Sequence, residues 1–200
     1  MKYVGIIGRL NNDRITFNNE LINIINKYNV TPIGIIVNFN NDPNIEFNKV
    51  KHLIDMCDYF ILQGGNEYYE IDIKIVKYLY DKNIPTLGIC LGMQTMAMAF
   101  NGNIGIINNH NSTDKYVHDI KINRNSKLYN ILKKDNIMVN SRHNSYIINT
   151  DLKVSAINNV IEAIEDENKT FFIGVEWHPE SIYDENNKLL FDFLFNCNKI

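Results

Sequence analysis

Short apolar runs alternate along the first half of the chain with stretches in which hydrophobic side chains recur every three or four positions. Residues 3–7 form the first run, closed by Gly8, and predict a buried strand. Residues 18–28 carry Leu21, Ile24, Ile25 and Tyr28 on one face and predict an amphipathic helix. Residues 33–37 predict a second strand. Residues 38–48, rich in asparagine with Asp42 and Pro43, read as a loop, and residues 50–56 as a short helix. A third strand is expected over 59–62. A helix follows over 70–80, with Ile71, Ile75, Tyr78 and Leu79 at helical spacing. Residues 87–89 form a fourth apolar run. Met93, Met96, Ala97 and Phe100 then set a helical pattern that Gly102 stops. Strands and helices alternating through short connections predict an α/β fold, with a parallel sheet covered on both faces. Reactive groups in such sheets gather at the strands' C-terminal ends.

The second half changes character. Residues 104–107, 117–122, 137–140, 152–156, 160–164 and 171–175 are short strand-like runs, several of them alternating. Asn158-Asn159 sits between two of these runs and predicts a hairpin turn. The expectation is a mixed sheet, partly extending the core and partly forming a small antiparallel layer. A helix over 184–196 closes the chain, with Leu189, Leu190, Phe193 and Leu194 turned inward. No repeat or linker interrupts the 200 residues, which are read as one domain, 1–200.

Composition narrows the function classes. The net charge of −3 is interspersed, and no basic tract predicts a nucleic-acid footprint. No stretch approaches the apolar length of a membrane span, and the N-terminal apolar run is too short for a signal sequence. The cysteines Cys57, Cys90 and Cys197 are odd in number and widely spaced, which fits a reducing cytoplasm better than a disulfide framework. The asparagine richness is a compositional bias from which no function is drawn.

Candidate chemistry concentrates at two places. Gly88-Ile89-Cys90-Leu91-Gly92, between a strand and a helix, has the form of a nucleophile elbow. Its glycines leave room where a Cβ would clash, and the helix N-terminus behind the sulfur favours a thiolate. A cysteine of this kind is otherwise a small buried hydrophobe. Of five histidines, His52, His110 and His118 lie in settings that suit surface or structural roles. His143 stands in the polar burst Val139-Asn140-Ser141-Arg142-His143-Asn144-Ser145 after a strand, the form of a functional loop. His178 stands in Glu176-Trp177-His178-Pro179-Glu180 at the end of an apolar strand. The fixed φ of Pro179 lets the Glu180 carboxylate reach one imidazole nitrogen and set the tautomer, leaving the other for a thiol. Arg9, after the first strand, is either a contact for a substrate carboxylate or a solvated loop arginine.

Taken together, these residues resemble the class I, triad-type glutamine amidotransferases. Gly88-Ile89-Cys90-Leu91-Gly92-Met93-Gln94 is similar to their nucleophile motif, Gly174-Val175-Glu176-Trp177-His178-Pro179-Glu180 to their His/Glu motif, and Leu62-Gln63-Gly64-Gly65 to their oxyanion strand. The resemblance implies a flavodoxin-like fold, with a central mostly parallel sheet, helices on both faces and a small antiparallel sheet. Within the class, Gly5-Ile6-Ile7-Gly8-Arg9, the loop 139–143 and residues 159–164 resemble the γ-glutamyl hydrolase branch, typified by γ-glutamyl-γ-aminobutyrate hydrolase. Gln63 departs from the usual proline, Leu91 from an arginine frequent in that branch, and Asn144-Ser145 from a His-Gln pair. Leucine at position 91 is common in true amidotransferase subunits.

The resemblance implies Cys90 as nucleophile, His178 as base and Glu180 as its orienting acid, with the N–H groups of Gly65 and Leu91 as the oxyanion hole. It implies Gln94, His143, Asn144 and Arg9 as substrate contacts, and no metal or cofactor. The reaction expected is hydrolysis of a small γ-glutamyl amide, such as a γ-glutamyl amine or a γ-glutamyl nucleotide phosphoramidate, through a cysteine thioester in the cytoplasm. Two other readings stand beside it: a glutaminase subunit delivering ammonia to a partner synthase, and a non-catalytic ligand-binding relative. The partner expected is the small γ-glutamyl molecule, with neither nucleic acid nor membrane. A homodimer is compatible with this reading, and a synthase partner belongs only to the alternative.

Overall fold

The structure, a computed structural model, describes residues 1–108 and 110–197. The chain opens with β1 (Lys2–Ile7), then a small hairpin of β2 (Arg9–Asn11) and β3 (Arg14–Thr16), then α1 (Asn19–Ile25) and β4 (Val30–Ile35). It continues through α2 (Pro43–Asp55), β5 (Tyr59–Leu62), α3 (Glu70–Asp81), β6 (Thr86–Ile89) and α4 (Leu91–Ala99). The second half runs β7 (Asn103–Ile106), β8 (His118–Ile122), α5 (Lys127–Leu132), β9 (Asn136–Val139), β10 (Ser145–Asn149), β11 (Lys153–Asn158), β12 (Val160–Glu165), β13 (Phe172–Val175) and α6 (Glu185–Asn196).

Among the described residues, nine strands form one sheet in the order β4-β1-β5-β6-β13-β12-β11-β8-β9. From β4 to β13 the pairings are parallel; from β13 to β9 they are antiparallel. The antiparallel strands therefore extend the central sheet, as the mixed pattern of the second half predicts. The separate antiparallel layer is the two-stranded pair β10-β7, and β2-β3 forms a second pair that the hydrophobic pattern does not reveal.

Strand alternation sorts the core onto two faces. Val4, Ile6, Tyr59, Ile61, Leu87, Ile89, Ile173 and Val175 pack against α1, α5 and α6 through residues such as Leu21, Ile25, Leu128 and Phe191. Ile7, Phe60, Leu62 and Phe172 pack against α2, α3 and α4 through Val50, Ile54, Ile75, Leu79, Met93 and Met96. Helix α2 begins at Pro43, inside the stretch expected to be loop. Asp42 caps it by accepting from the Asn44 and Ile45 N–H groups at 2.8 and 3.1 Å, and Pro43 occupies the first helical turn. Helix α5 is also unforeseen. Ser126 caps it, and the buried Glu165 carboxylate accepts from Lys127 and Leu128 N–H at 2.7 and 3.0 Å.

Strand β6 lies between β5 and β13, with Leu62 opposite Gly88 and Val175 opposite Ile89. All three run parallel, so the segments leaving their C-terminal ends meet. Helix α4 passes close over β5 because Gly92 has no side chain: a Cβ there would overlap the Leu62 carbonyl oxygen and come within 2.7 Å of the Leu62 Cβ. Gly92→Ala is expected to lower stability by about 1–3 kcal/mol through overpacking. Thermal unfolding of the variant checks this, and an unchanged midpoint would contradict the close approach.

Candidate active site

Cys90 stands between β6 and α4 with φ 50° and ψ −108°, left-handed backbone that a non-glycine residue occupies only under strain. Its N–H donates to the Val175 carbonyl at 2.8 Å, and its carbonyl accepts from the Gln94 N–H at 3.0 Å. These bonds tie the elbow to β13 on one side and to its own helix on the other. Gly88 is needed for the same turn, since a Cβ there would sit 2.9 Å from the Gly92 carbonyl carbon and the Met93 nitrogen.

The imidazole of His178 comes to the same place. A Cβ on Gly64 would touch the His178 ring at Cε1, 2.8 Å away, lie 3.6 Å from Nε2, and lie 3.7 Å from the Cys90 Cβ. Ring and cysteine thus flank a glycine whose missing side chain leaves them room. His178 Nδ1 lies 2.8 Å from Glu180 Oε1, the meeting expected across Pro179. That oxygen accepts a second bond, from Asn18 Nδ2 at 3.0 Å. The Asn18 N–H in turn donates to Gln63 Oε1 at 2.8 Å, while Gln63 Nε2 donates to the carbonyls of Ile7 and Thr16 at 2.8 and 3.1 Å. Gln63 therefore uses its amide to fasten β1, the β2-β3 hairpin and the start of α1 behind the carboxylate.

Asn140 holds the histidine from the other side. Its Oδ1 accepts the His178 N–H at 2.8 Å, and its Nδ2 donates to the His178 carbonyl at 3.0 Å. Sequence does not single out this two-bond clamp by a fully buried side chain, although Asn140 lies inside the polar burst at 139–145.

The remaining candidates divide. Gln94 is buried on α4 and donates through Nε2 to Glu176 Oε1. His143 is buried too, with Nδ1 2.8 Å from the Ser145 carbonyl and 3.3 Å from Glu176 Oε1. A carbonyl can only accept, so Nδ1 carries the hydrogen. Burial pushes the His143 pKa below its ordinary value, leaving a neutral ring whose buried Nε2 has no hydrogen-bond partner. Asn144 is exposed, and its carbonyl accepts from the Ile107 N–H at 2.9 Å. Arg9 is not a solvated loop residue. It is buried, paired with Asp72 at 2.8 Å, and a Cβ on Gly65 would lie 3.2 Å from its side-chain carbons. Leu91 packs over the same glycine, 2.9 Å from that Cβ position.

Electrostatics corrects one expectation. Burial, and then Glu176, push the Cys90 thiol well above its ordinary pKa. The Leu91 N–H at the helix N-terminus pulls the other way, while Glu180 and Glu162 push further up. Desolvation outweighs the helix terminus and disfavours the charged form of the sulfur. Glu176 is itself driven well up by burial, against the opposing hydrogen bond from Gln94.

One polar cluster beside the site is not apparent from sequence. His110, His118 and Glu162 bring three ligand-type atoms within 4.8 Å of one another. A carboxylate inside the apolar run 160–164 is the one available signal. A surface groove of about 1010 Å³, lined by Lys121, Arg124, Asp135 and Ile157, lies on the antiparallel end of the sheet and includes none of Cys90, His178 and Glu180.

An α/β sheet that gathers an elbow cysteine and a histidine–carboxylate pair at its C-terminal edge has the layout of a cysteine-dependent amidohydrolase. The family model for glutamine amidotransferase class-I matches residues 15–197, and the chain belongs to that family. A GMP synthase (glutamine-hydrolyzing) of Francisella tularensis subsp. tularensis is 32% identical over 143 aligned positions, a match that covers 66% of this chain and 26% of that protein. The chain thus matches about a quarter of the length of such relatives. A putative GMP synthase subunit from Thermoplasma acidophilum superposes with a TM-score of 0.73 at 18% identity, covering 98% of this chain and 94% of the other. The glutaminase domain of Trypanosoma brucei CTPS, solved with bound acivicin, gives a TM-score of 0.76 at 15% identity, covering 100% and 96%. At these identities the structural likeness speaks for the fold alone.

If burial holds the sulfur as a thiol, alkylation of Cys90 by iodoacetamide should keep accelerating beyond pH about 8.5, the ordinary thiol pKa. Rate constants measured across pH check this, and a plateau reached below that value would mean a thiolate at rest.

Proposed function

We propose that this chain is a glutamine-hydrolysing unit, spanning residues 1–200 as one domain, that supplies ammonia to a synthase. The observation that carries the reading is the convergence of Cys90, His178 and Glu180 within a chain that belongs to the class-I family. The names of the curated relatives support glutamine as the amide and a nucleotide synthase as the recipient of nitrogen. A cytoplasmic setting belongs to the same reading. Among the described residues, no helix is long and apolar enough to cross a membrane.

In this mechanism the Cys90 sulfur attacks the side-chain amide carbon while His178 Nε2 takes the thiol proton. The raised thiol pKa makes the transfer concerted with attack, because a free thiolate is costly in so buried a place. The oxyanion is held by the N–H groups of Gly65 and Leu91, each such donor worth about 3 kcal/mol. Leu91 is the first residue of α4, so its N–H is one of those the helix leaves unpaired at its N-terminus. His178 returns the proton to the leaving nitrogen, which departs as ammonia, and water cleaves the γ-glutamyl thioester. Glu180, braced by Asn18, keeps Nδ1 protonated and Nε2 free. Gln94, His143, Asn144 and Arg9 remain the proposed contacts for the amino-acid end of the substrate. The buried His143 Nε2, an acceptor without a partner, suits an ammonium group.

The γ-glutamyl hydrolase reading, the main expectation from sequence, takes second place because the curated relatives are GMP synthases. What keeps it is the resemblance of residues 5–9, 139–143 and 159–164 to that branch. The two readings separate by substrate. Glutamate release is expected from glutamine and to rise with a synthase partner; robust turnover of substituted γ-glutamyl amides by the chain alone would favour the hydrolase. Under either, Cys90→Ala should abolish glutamate release, while Cys57→Ala and Cys197→Ala retain it. Substantial release by Cys90→Ala would end both.

Asn140 acts through His178 rather than on substrate. Loss of its clamp in Asn140→Ala should lower kcat by about 10²-fold, the scale of an ångström's misplacement, with little change in KM. Steady-state kinetics with glutamine tests the split, and a rise in KM alone would place Asn140 in substrate binding.

A further inference from the structure

The cluster of His110, His118 and Glu162 neither forms a bond nor moves a proton in the proposed chemistry. His118 is the first residue of β8, Glu162 lies within β12, and His110 lies in the connection between β7 and β8. His118 Nε2 is 3.0 Å from Glu162 Oε1, and His110 Nε2 is 3.8 Å from the same oxygen. Glu162 is wholly buried, and the side chains of His110 and His118 are 17% and 15% exposed. The His110 ring packs against both neighbours, with centroids 5.1 Å from His118 and 4.7 Å from His143.

We propose that His110, His118 and Glu162 bind a divalent transition-metal ion of the zinc class, which clips the β7–β8 connection to the sheet beside the candidate active site.

Three observations carry the assignment. Donor type is the first: two imidazoles and a carboxylate suit zinc and its neighbours rather than calcium or magnesium. Geometry is the second. Ligands about 2.0–2.1 Å from a tetrahedral ion stand about 3.3 Å apart, and the two measured edges to Glu162 fall on either side of that value. Small side-chain rotations would close the set, with a fourth position left for water. The third is the state of the polar atoms. A hydrogen bond from His118 satisfies one Glu162 oxygen, yet Glu162 Oε2 and His110 Nε2 are buried and make no hydrogen bond. Buried polar atoms without partners are costly, and a cation held between His110 and the Glu162 carboxylate would engage Nε2 directly and offset the charge that the two carboxylate oxygens share.

The backbone is arranged to keep His110 there. Its carbonyl accepts from the Ser141 hydroxyl, Ser112 N–H donates to the Ser141 carbonyl at 2.8 Å, and Asn111 forms a bridge with Arg142. The segment so gripped carries Asn140, which clamps His178, and His143. A metal ion would therefore brace the wall of the candidate site without touching the sulfur.

The test uses the full chain, stripped with EDTA and titrated with zinc chloride by calorimetry, with elemental analysis of the dialysed product. About one zinc per chain is expected, as for a dedicated three-residue site. His110→Ala, a change in a connecting segment, and His118→Ala should each weaken uptake by more than about 10-fold, the lower end for loss of a metal-site partner. Zinc should also raise the unfolding temperature of the unaltered chain and not that of His110→Ala. Cys90→Ser should bind zinc as the unaltered chain does, and cobalt substituted for zinc should show no thiolate-to-metal charge-transfer band. Absence of saturable zinc uptake by the folded chain would overturn the proposal, leaving a hydrogen-bonded His–Glu contact. Uptake that survives His110→Ala, or that vanishes in Cys90→Ser, would overturn it equally.

Discussion

The candidate site depends on one constraint, the placing of β6 between two parallel neighbours. Strand β5 leads through Gln63 to Gly64-Gly65, β6 into Cys90, and β13 into the segment carrying Glu176, His178 and Glu180. Had β13 paired antiparallel with β6, as it does with β12, the histidine would leave from the opposite end of the sheet. The switch from parallel to antiparallel pairing falls at β13, so one strand closes the reactive edge and opens the antiparallel extension. Ligand and active sites in open α/β sheets form outside the strands' carboxyl ends, and the arrangement here is an instance.

Positioning of the imidazole draws on residues spread over much of the chain. Asn140 grips its backbone from the β9 side, Glu180 its ring, and Asn18 the carboxylate behind the ring. Gln63 then connects Asn18 to β1 and to the hairpin. Where the resembled family usually has proline, this chain has an amide that makes three hydrogen bonds. The buried acids set the opposing electrostatic condition. Burial first, and the neighbouring acids after it, disfavour standing charge on Cys90.

Much of this is legible in the sequence because it is encoded locally. The elbow occupies five consecutive residues, and the His–Glu pair spans three. The apolar runs at 59–62 and 171–175 and the helical spacing over 70–80 correspond to β5, β13 and α3, with boundaries a residue or so apart. The failures have physical causes. The β2-β3 hairpin pairs Arg-Leu-Asn with Arg-Ile-Thr, too polar to announce itself. Helix α2 is hidden by asparagines, although Asp42-Pro43 is a start signal. Helix α5 is six residues long and leans on Glu165 from another strand, a partner that periodicity cannot reveal. The His110–His118–Glu162 cluster joins β12 to a stretch far earlier in the chain, and Arg9 takes its place from Asp72 rather than from solvent.

Backbone angles give the asparagine bias a physical setting. Among the described residues no glycine has a positive φ, whereas Asn12, Asn83, Asn101 and Asn159 all do, Asn159 at the β11–β12 turn. Asparagine tolerates this region better than most side chains, since its amide can bond to nearby backbone. Labour is thus divided at these positions: asparagine supplies most of the left-handed turns, and glycine supplies clearance. An exchange of glycine for alanine would then be felt through crowding, and an exchange of asparagine for alanine at these turns through torsion.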